Sequence, residues 1–195
     1  SRTFYNRATQ EKTAPGSTYK MLSSVASLTE GVINGNSYIS CSGVFDKITP
    51  SPKCWIYPSA HGSLNVVGAL QHSCNDFFYE VGYRLGQDSN GNYDSDTGLE
   101  KLAKYAGTVY SLSLIDKTTD SNGKLIKDYT PEVVNQMDEI SSSTWDLVHN
   151  GMESMVKSSS TFAGMDISMG GKTGTAQYSK MHADNVLFVG YAPAD

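Results

Sequence analysis

Ser17 and Lys20 stand three residues apart, just after Ala14-Pro15-Gly16 and at the start of an apolar-periodic stretch. In the first turn of a helix, that spacing puts both side chains on one face. A serine hydroxyl is a weak nucleophile at neutral pH and needs a neighbouring base. A desolvated lysine, its pKa lowered, can supply one. Unpaired N–H groups at the helix N-terminus suit negative charge developing near the serine. Two further short patterns follow, Ser73-Cys74-Asn75 and Lys172-Thr173-Gly174. The three together describe one reaction. Ser17 attacks an acyl carbon and becomes acylated, while Lys20 takes its proton. Ser73 relays a proton between the lysines and a leaving amine, and the Asn75 amide orients a peptide. Lys172 brings a fixed positive charge and Thr173 a hydroxyl donor, both suited to a terminal carboxylate. Gly174 lets a strand edge approach an incoming peptide closely. The backbone N–H groups of Ser17 and Thr175 form the expected oxyanion hole.

Each pattern also has an ordinary structural reading. Ser-x-x-Lys occurs in many helices by chance, and Ser and Asn often cap them. Gly170-Gly171-Lys172-Thr173 resembles the end of a phosphate-binding loop, but that loop needs a glycine where Asp166 stands, followed by a helix. The following residues are β-like, so a nucleotide site is excluded. The three cysteines, Cys41, Cys54 and Cys74, match no zinc spacing, and no metal is expected. Cys41 and Cys54 flank a proline-containing loop; they form either a disulfide outside the cell or free buried thiols. Cys74 reads as structural, its side chain directed away from Ser73 and Asn75. Nothing in the spacing ties His61, His72, His149 or His182 to a cysteine.

The elements that must carry these residues follow from pattern. A helix runs from Ser17, with Leu22, Val25, Ala26 and Leu28 as its stripe, and stops at Gly31. Residues 34–58 form a loop-and-hairpin region with a β-like piece at Ser37–Ser40. A second helix starts at Val66–Leu70 and reaches Ser73; helical spacing continues through Phe77, Phe78, Val81 and Leu85. Leu99–Ala106 forms a short helix, and residues 108–116 are β-like. Ser121-Asn122-Gly123-Lys124 is a hairpin turn. Pro131 to Val134 begins a loop or short helix. Ser143 caps a helix over Thr144–Lys157, with Trp145, Val148, Met152 and Met155 as its apolar face. Residues 171–178 and 184–192 pair as antiparallel strands. The implied class is α+β, helices packed on an antiparallel sheet.

Length and composition agree. The 195 residues suffice for one domain with a sizeable core. A net charge of −5 with no basic block argues against nucleic acid. No run approaches the length of a membrane span, and residues 1–12 are too polar for a signal sequence.

The segments NRATQEKTAPGSTYKMLSSVASLTEGVI, HGSLNVVGALQHSCNDFFYEVGYRLG, and GGKTGTAQ with VLFVGYAPAD resemble the transpeptidase domain of class B, monofunctional penicillin-binding proteins. The resemblance implies the penicillin-binding-protein and serine β-lactamase-like fold, here reduced in size. It implies peptidoglycan D,D-transpeptidation through an acyl-serine, and covalent capture by β-lactam antibiotics. Ser17 is then the acylated serine, Lys20 its base, Ser73 and Asn75 the second motif, and Lys172, Thr173 and Gly174 the third. It places a membrane-anchored parent protein on the extracytoplasmic face of the bacterial cell membrane, with stem peptides as substrate and no cofactor. This segment itself makes no membrane contact.

The chain departs from the family in lacking a block near residues 107–108, so residues 1–195 read as a single shortened domain. Two alternatives stay open. One is a non-catalytic scaffold that binds penicillin or peptide. The other is a β-lactamase-like hydrolase, for which Glu132, Glu139 and Glu153 are the candidate water-activating bases.

Overall fold

The structure is a computed structural model that describes residues 14–106, 109–110, 117–128, 133–135, 140–176 and 184–194. After Pro15 a 3-10 turn, Gly16–Thr18, leads into helix α1, Tyr19–Thr29. The inner face of α1 carries Lys20, Ser24, Val25, Ala26 and Ser27. The two buried serines bond back to Lys20 O at 2.8 Å and Ser24 O at 3.0 Å, so the helix itself satisfies their hydroxyls. Strand β1, Ile39–Cys41, pairs antiparallel with β2, Gly62–Leu64. The loop between them folds on itself, with a bridge from Val44 to Lys53.

The continuous helical spacing from Val66 to Leu85 resolves into two helices, α2 (Val66–Gln71) and α3 (Asn75–Leu85). The break lies at Ser73, whose φ of 51° is left-handed. Cys74 then starts α3 afresh, its sulfur accepting the Phe77 N–H at 3.4 Å. A single left-handed residue leaves apolar periodicity on either side intact, so the sequence pattern does not register it.

Helix α4, Ser95–Lys104, is capped by Asp94 and begins before the expected Leu99. Strand β3 is Val109–Tyr110. Strands β4 (Lys117–Thr119) and β5 (Leu125–Asp128) pair across the expected turn. The Asp120 carboxylate closes that turn by accepting the N–H groups of Asn122 and Lys124, each at 2.9 Å. Strand β6, Val133–Asn135, pairs with β3, so Val133 and Val134 lie in a strand rather than a loop or helix. Helix α5, Ser142–Ser158, is capped by Ser141, not Ser143. In a run of serines only Ser141 stands three residues before Thr144, whose N–H its oxygen accepts at 3.3 Å. Strands β7 (Gly170–Ala176) and β8 (Asn185–Tyr191) pair antiparallel from Gly170↔Tyr191 to Ala176↔Asn185, as expected.

The α+β class holds, with every described strand pair antiparallel. Val25 and Ala26 of α1, Val66, Ala69 and Leu70 of α2, Phe77, Val81 and Leu85 of α3, and Val148 and Met152 of α5 form one buried cluster. Phe77, Val81 and Leu85 recur every four residues, the single stripe of a helix buried on one side. Helix α5 packs against both α2 and β7, which joins the second-motif region to the third-motif strand. No helix among the described residues is long and apolar enough to cross a membrane. Residues 1–13, 111–116, Glu132, Glu139, 177–178 and His182 lie outside the described residues.

Candidate active site

The three motifs meet at one open cavity of about 800 Å³. Ser17, Lys20, Ser73, Asn75, Thr173 and Thr175 line it, together with Gly16, Trp55, Gln71, His72, Met155, Ser158 and Ser159. The 3-10 turn and α1 present Ser17 and Lys20; the α2–α3 junction presents Ser73 and Asn75; β7 presents Thr173 and Thr175.

Close backbone packing sets these pieces against one another. Gly16 has a φ of +56°, and a Cβ there would come within 2.6 Å of Thr175 O. A Cβ on Gly174 would lie 2.8 Å from Pro15 O and 2.9 Å from Thr18 Cγ2. Two positions without side chains therefore let the turn bearing Ser17 lie directly on β7. This brings the backbone of Thr175 against the turn that carries Ser17.

Both lysines are buried, Lys172 completely, and neither has a carboxylate partner in a salt bridge among the described residues. The Lys20 Nζ donates to Ser73 O at 2.7 Å, Ser73 Oγ at 3.2 Å and Asn75 Oδ1 at 2.6 Å. The Lys172 Nζ donates to Ser73 Oγ at 2.9 Å and to Thr173 O at 2.9 Å. Burial, and then the charge of Lys172, pull Lys20 from 10.5 down to about 8; burial pulls Lys172 down to about 8 as well.

Ser73 Oγ thus accepts from two ammonium groups, which fills both its lone pairs and leaves its own proton free to donate. Its left-handed backbone places the hydroxyl between the two lysines. Two lysines without a carboxylate partner among the described residues, both with lowered pKa, converge on one hydroxyl at a cavity wall, an arrangement chemically able to pass a proton.

Sequence reasoning missed several lining residues. Trp55 is 61% exposed and its indole N–H is fixed to His72 O at 3.1 Å. His72, Met155, Ser158 and Ser159 also line the cavity, and only the adjacency of His72 to Ser73 hints at this in the chain. Glu153 is bonded to Lys157 at 2.9 Å and does not line the cavity, so it is not placed to activate a deacylating water.

The cysteines are free thiols; Cys41 and Cys54 form no disulfide. Instead Cys41, Cys54 and Cys74 gather with His61, their ligand atoms all within 4.8 Å of one another. The chain's spacing matches no zinc pattern and ties no histidine to a cysteine; the fold nevertheless sets His61 beside these thiols. The His61 Nδ1 lies 3.5 Å from Cys41 Sγ and 3.6 Å from Cys54 Sγ, and Cys54 Sγ lies 4.0 Å from Cys74 Sγ. Strand pairing of β1 with β2 and the break before α3 bring these donors together; sequence spacing alone does not encode it.

The chain matches the penicillin binding protein transpeptidase domain over residues 1–106 and again over residues 99–195. It belongs to that family. It is 36% identical over 121 residues to the peptidoglycan D,D-transpeptidase MrdA of Escherichia coli (strain K12), covering 53% of this chain and 18% of MrdA. Stage V sporulation protein D of Bacillus subtilis (strain 168) is 25% identical over 234 aligned positions, covering 93% of this chain and 36% of that protein. The chain therefore spans a minor part of these curated relatives. Among solved structures, the imipenem acyl-enzyme complex of penicillin-binding protein A from M. tuberculosis superposes with a TM-score of 0.73 at 17% identity, covering 97% of this chain and 54% of that one. At that identity the likeness shows the penicillin-binding-protein transpeptidase fold.

Proposed function

We propose that this chain is a peptidoglycan D,D-transpeptidase domain that works through an acyl-serine at Ser17 and is captured covalently by β-lactams. The observation that carries the reading is the convergence of Lys20 and Lys172 on Ser73 Oγ, at the wall of the cavity that Ser17 also lines. In this scheme the neutral Lys20 amine takes the proton as Ser17 Oγ bonds to the acyl carbon of a stem peptide. The N–H groups of Ser17 and Thr175 hold the oxyanion. As the peptide C–N bond breaks, the leaving amine takes the Ser73 hydroxyl proton, and Ser73 recovers one from the Lys20 ammonium. An acceptor amine then attacks the acyl-serine by the reverse path, forming the new amide and releasing Ser17. Asn75 orients the peptide, and Lys172 with Thr173 attracts its terminal carboxylate.

Lys20 with a pKa of about 8 keeps roughly a tenth of its amine neutral at pH 7, enough to act as base. The chemistry itself asks for no nucleotide and no metal at the serine. The peptidoglycan transpeptidase named among the relatives supports a site on the outer side of the bacterial cell membrane, in a longer protein of which this chain matches 18%. Two observations support a shortened domain lacking a block near residues 107–108. The family match falls in two segments that overlap at 99–106, and the alignment to the sporulation protein runs over 234 positions against a chain of 195.

Incubation with a penicillin, followed by intact-mass measurement and adduct mapping, tests the reading. The expected result is one stable adduct on Ser17, abolished in Ser17→Ala. Labelling that persists at another residue in that variant overturns it.

A further inference from the structure

Lys20 meets two kinds of surface. Its three N–H donors are all taken at the α2–α3 junction, by Ser73 O at 2.7 Å, Ser73 Oγ at 3.2 Å and Asn75 Oδ1 at 2.6 Å. The Phe78 ring faces the same nitrogen, which lies 5.6 Å from the ring centroid. Asn75 and Phe78 stand three residues apart on α3, so both reach the lysine from one helix face. Phe77, itself fully buried, packs edge-on against the Phe78 ring with 5.3 Å between centroids.

Phe78 also lines a second cleft, which shares no lining residue with the cavity of Ser17. This cleft measures about 310 Å³ and lies between α3 and α4, walled by Phe78, Tyr79, Tyr83, Leu99 and Leu102, with Phe45 from the β1–β2 loop. It opens to solvent past Leu99, which is 62% exposed.

A ring beside an ammonium acts in two opposed ways. Its quadrupole attracts the charged form, but at 5.6 Å the nitrogen lies near the roughly 6 Å limit of that attraction. Its apolar bulk keeps water away, which disfavours the charge. Burial is the largest cause that draws Lys20 from 10.5 to about 8, so exclusion of water outweighs attraction to the ring. The charge of Lys172 on β7 lowers it further, while Cys74 before α3 and Cys54 of the β1–β2 loop act the other way. His61, just before β2, also feels the lysine charge.

We propose that Phe78 is a positioning residue for acylation: its ring walls the Lys20 amine off from the α3–α4 cleft, keeping that amine dry and seated on Ser73 and Asn75. Phe78 lines no part of the Ser17 cavity, so it acts through Lys20 and not on the substrate. The inference rests on the reading of Lys20 as the base that deprotonates Ser17. With the ring removed, water from the cleft reaches the nitrogen, the charged form is solvated, and less of the amine is neutral at pH 7.

The test follows penicillin adduct formation over time by intact mass, from about pH 6 to about pH 9.5, separating initial binding from the acylation rate constant. Phe78→Ala is expected to move the midpoint of the rise in rate upward by about one pH unit. The rate constant then falls about tenfold at pH 7 and recovers on the alkaline side, with initial binding unchanged. Phe78→Leu, which keeps an apolar wall, is expected to hold the wild-type midpoint. An alanine midpoint equal to the wild-type one overturns the inference, as does a loss by the same factor at every pH, the mark of a packing residue. A leucine midpoint displaced as far as the alanine one also overturns it, because apolar cover would then not be what matters. If Phe78→Ala loses its helical circular dichroism, Phe78→Gln, of similar reach but hydrated, is measured in its place. An upward midpoint in that variant supports the wall, and an unmoved one overturns it. A wild-type rate that is flat over this range overturns the Lys20 reading and the inference with it. A wild-type rise that the variants share unchanged overturns the inference alone.

Discussion

At the scale of residues, Ser73 carries the most constraint. Its left-handed φ of 51° costs a non-glycine residue about 1–2 kcal/mol. That cost is accepted where the hydroxyl must meet two ammonium groups. Ser73→Gly is therefore expected to melt at or above the temperature of Ser73→Ala, by thermal unfolding, while both lose penicillin acylation. A more stable alanine variant would contradict strain at this position. The lysine pair sets the pH dependence. In the proposed mechanism acylation needs Lys20 neutral, so its rate is expected to fall about tenfold per pH unit below about 8. Because the charge of Lys172 depresses Lys20, Lys172→Ala is expected to move that midpoint upward and to weaken capture of carboxylate-bearing β-lactams; pH–rate profiles of both proteins decide it. Stability carries the opposite signature to a salt bridge. Both folded-state pKa values lie below the ordinary 10.5, so the folded state releases these protons first and the unfolded chain binds more of them between about 8 and 10.5. Burial of the two charges costs stability fully below about pH 8, and the cost is relieved as pH rises through that window.

At the scale of elements, the site depends on how closely neighbouring backbones approach. Gly174→Ala would drive a Cβ to 2.8 Å from Pro15 O, a backbone atom, and push β7 off the turn that carries Ser17. Acylation is expected to drop by about ten- to a hundredfold with a small change in melting temperature. Gly151 makes a different contact. A Cβ there would lie 2.7 Å from Leu70 Cβ, in the crossing of α5 over α2. Gly151→Ala is expected to destabilise by about 1–3 kcal/mol, measured by denaturant unfolding, because that contact lies in the packed core. The two variants separate geometry at the site from packing in the core.

At the scale of the whole molecule, stability is uneven. Helices α2, α3 and α5 share the buried cluster, whereas β8 presents Val186, Phe188 and Val189 to solvent, Val186 at 77% exposure. β7 is mostly buried, but the outer strand β8 has few buried contacts of its own to hold it. Hydrogen exchange is expected to be fastest at the β8 amides and slowest in α3. Equal protection across both would show that the hairpin opens only with the core.

The sequence by itself determined the local chemistry and its order. Ser17 with Lys20, Ser73 with Asn75, and the Lys172–Thr175 strand were legible, as were the stripes of α1, α3 and α5 and the pairing of β7 with β8. These are patterns of period and spacing within about twenty residues. Boundaries set by a single atom were not legible, such as the Ser141 cap or the break at Ser73, because periodicity averages over a turn. Only the tertiary structure decided that Lys20 and Lys172 share one hydroxyl, across separations of 53 and 99 residues. It alone decided that the sulfurs of three cysteines and the His61 ring lie within 4.8 Å of one another. Packing of α5 between α2 and β7, and pairing of β1 with β2, brings those groups together, and no local pattern in the chain records which distant faces will meet.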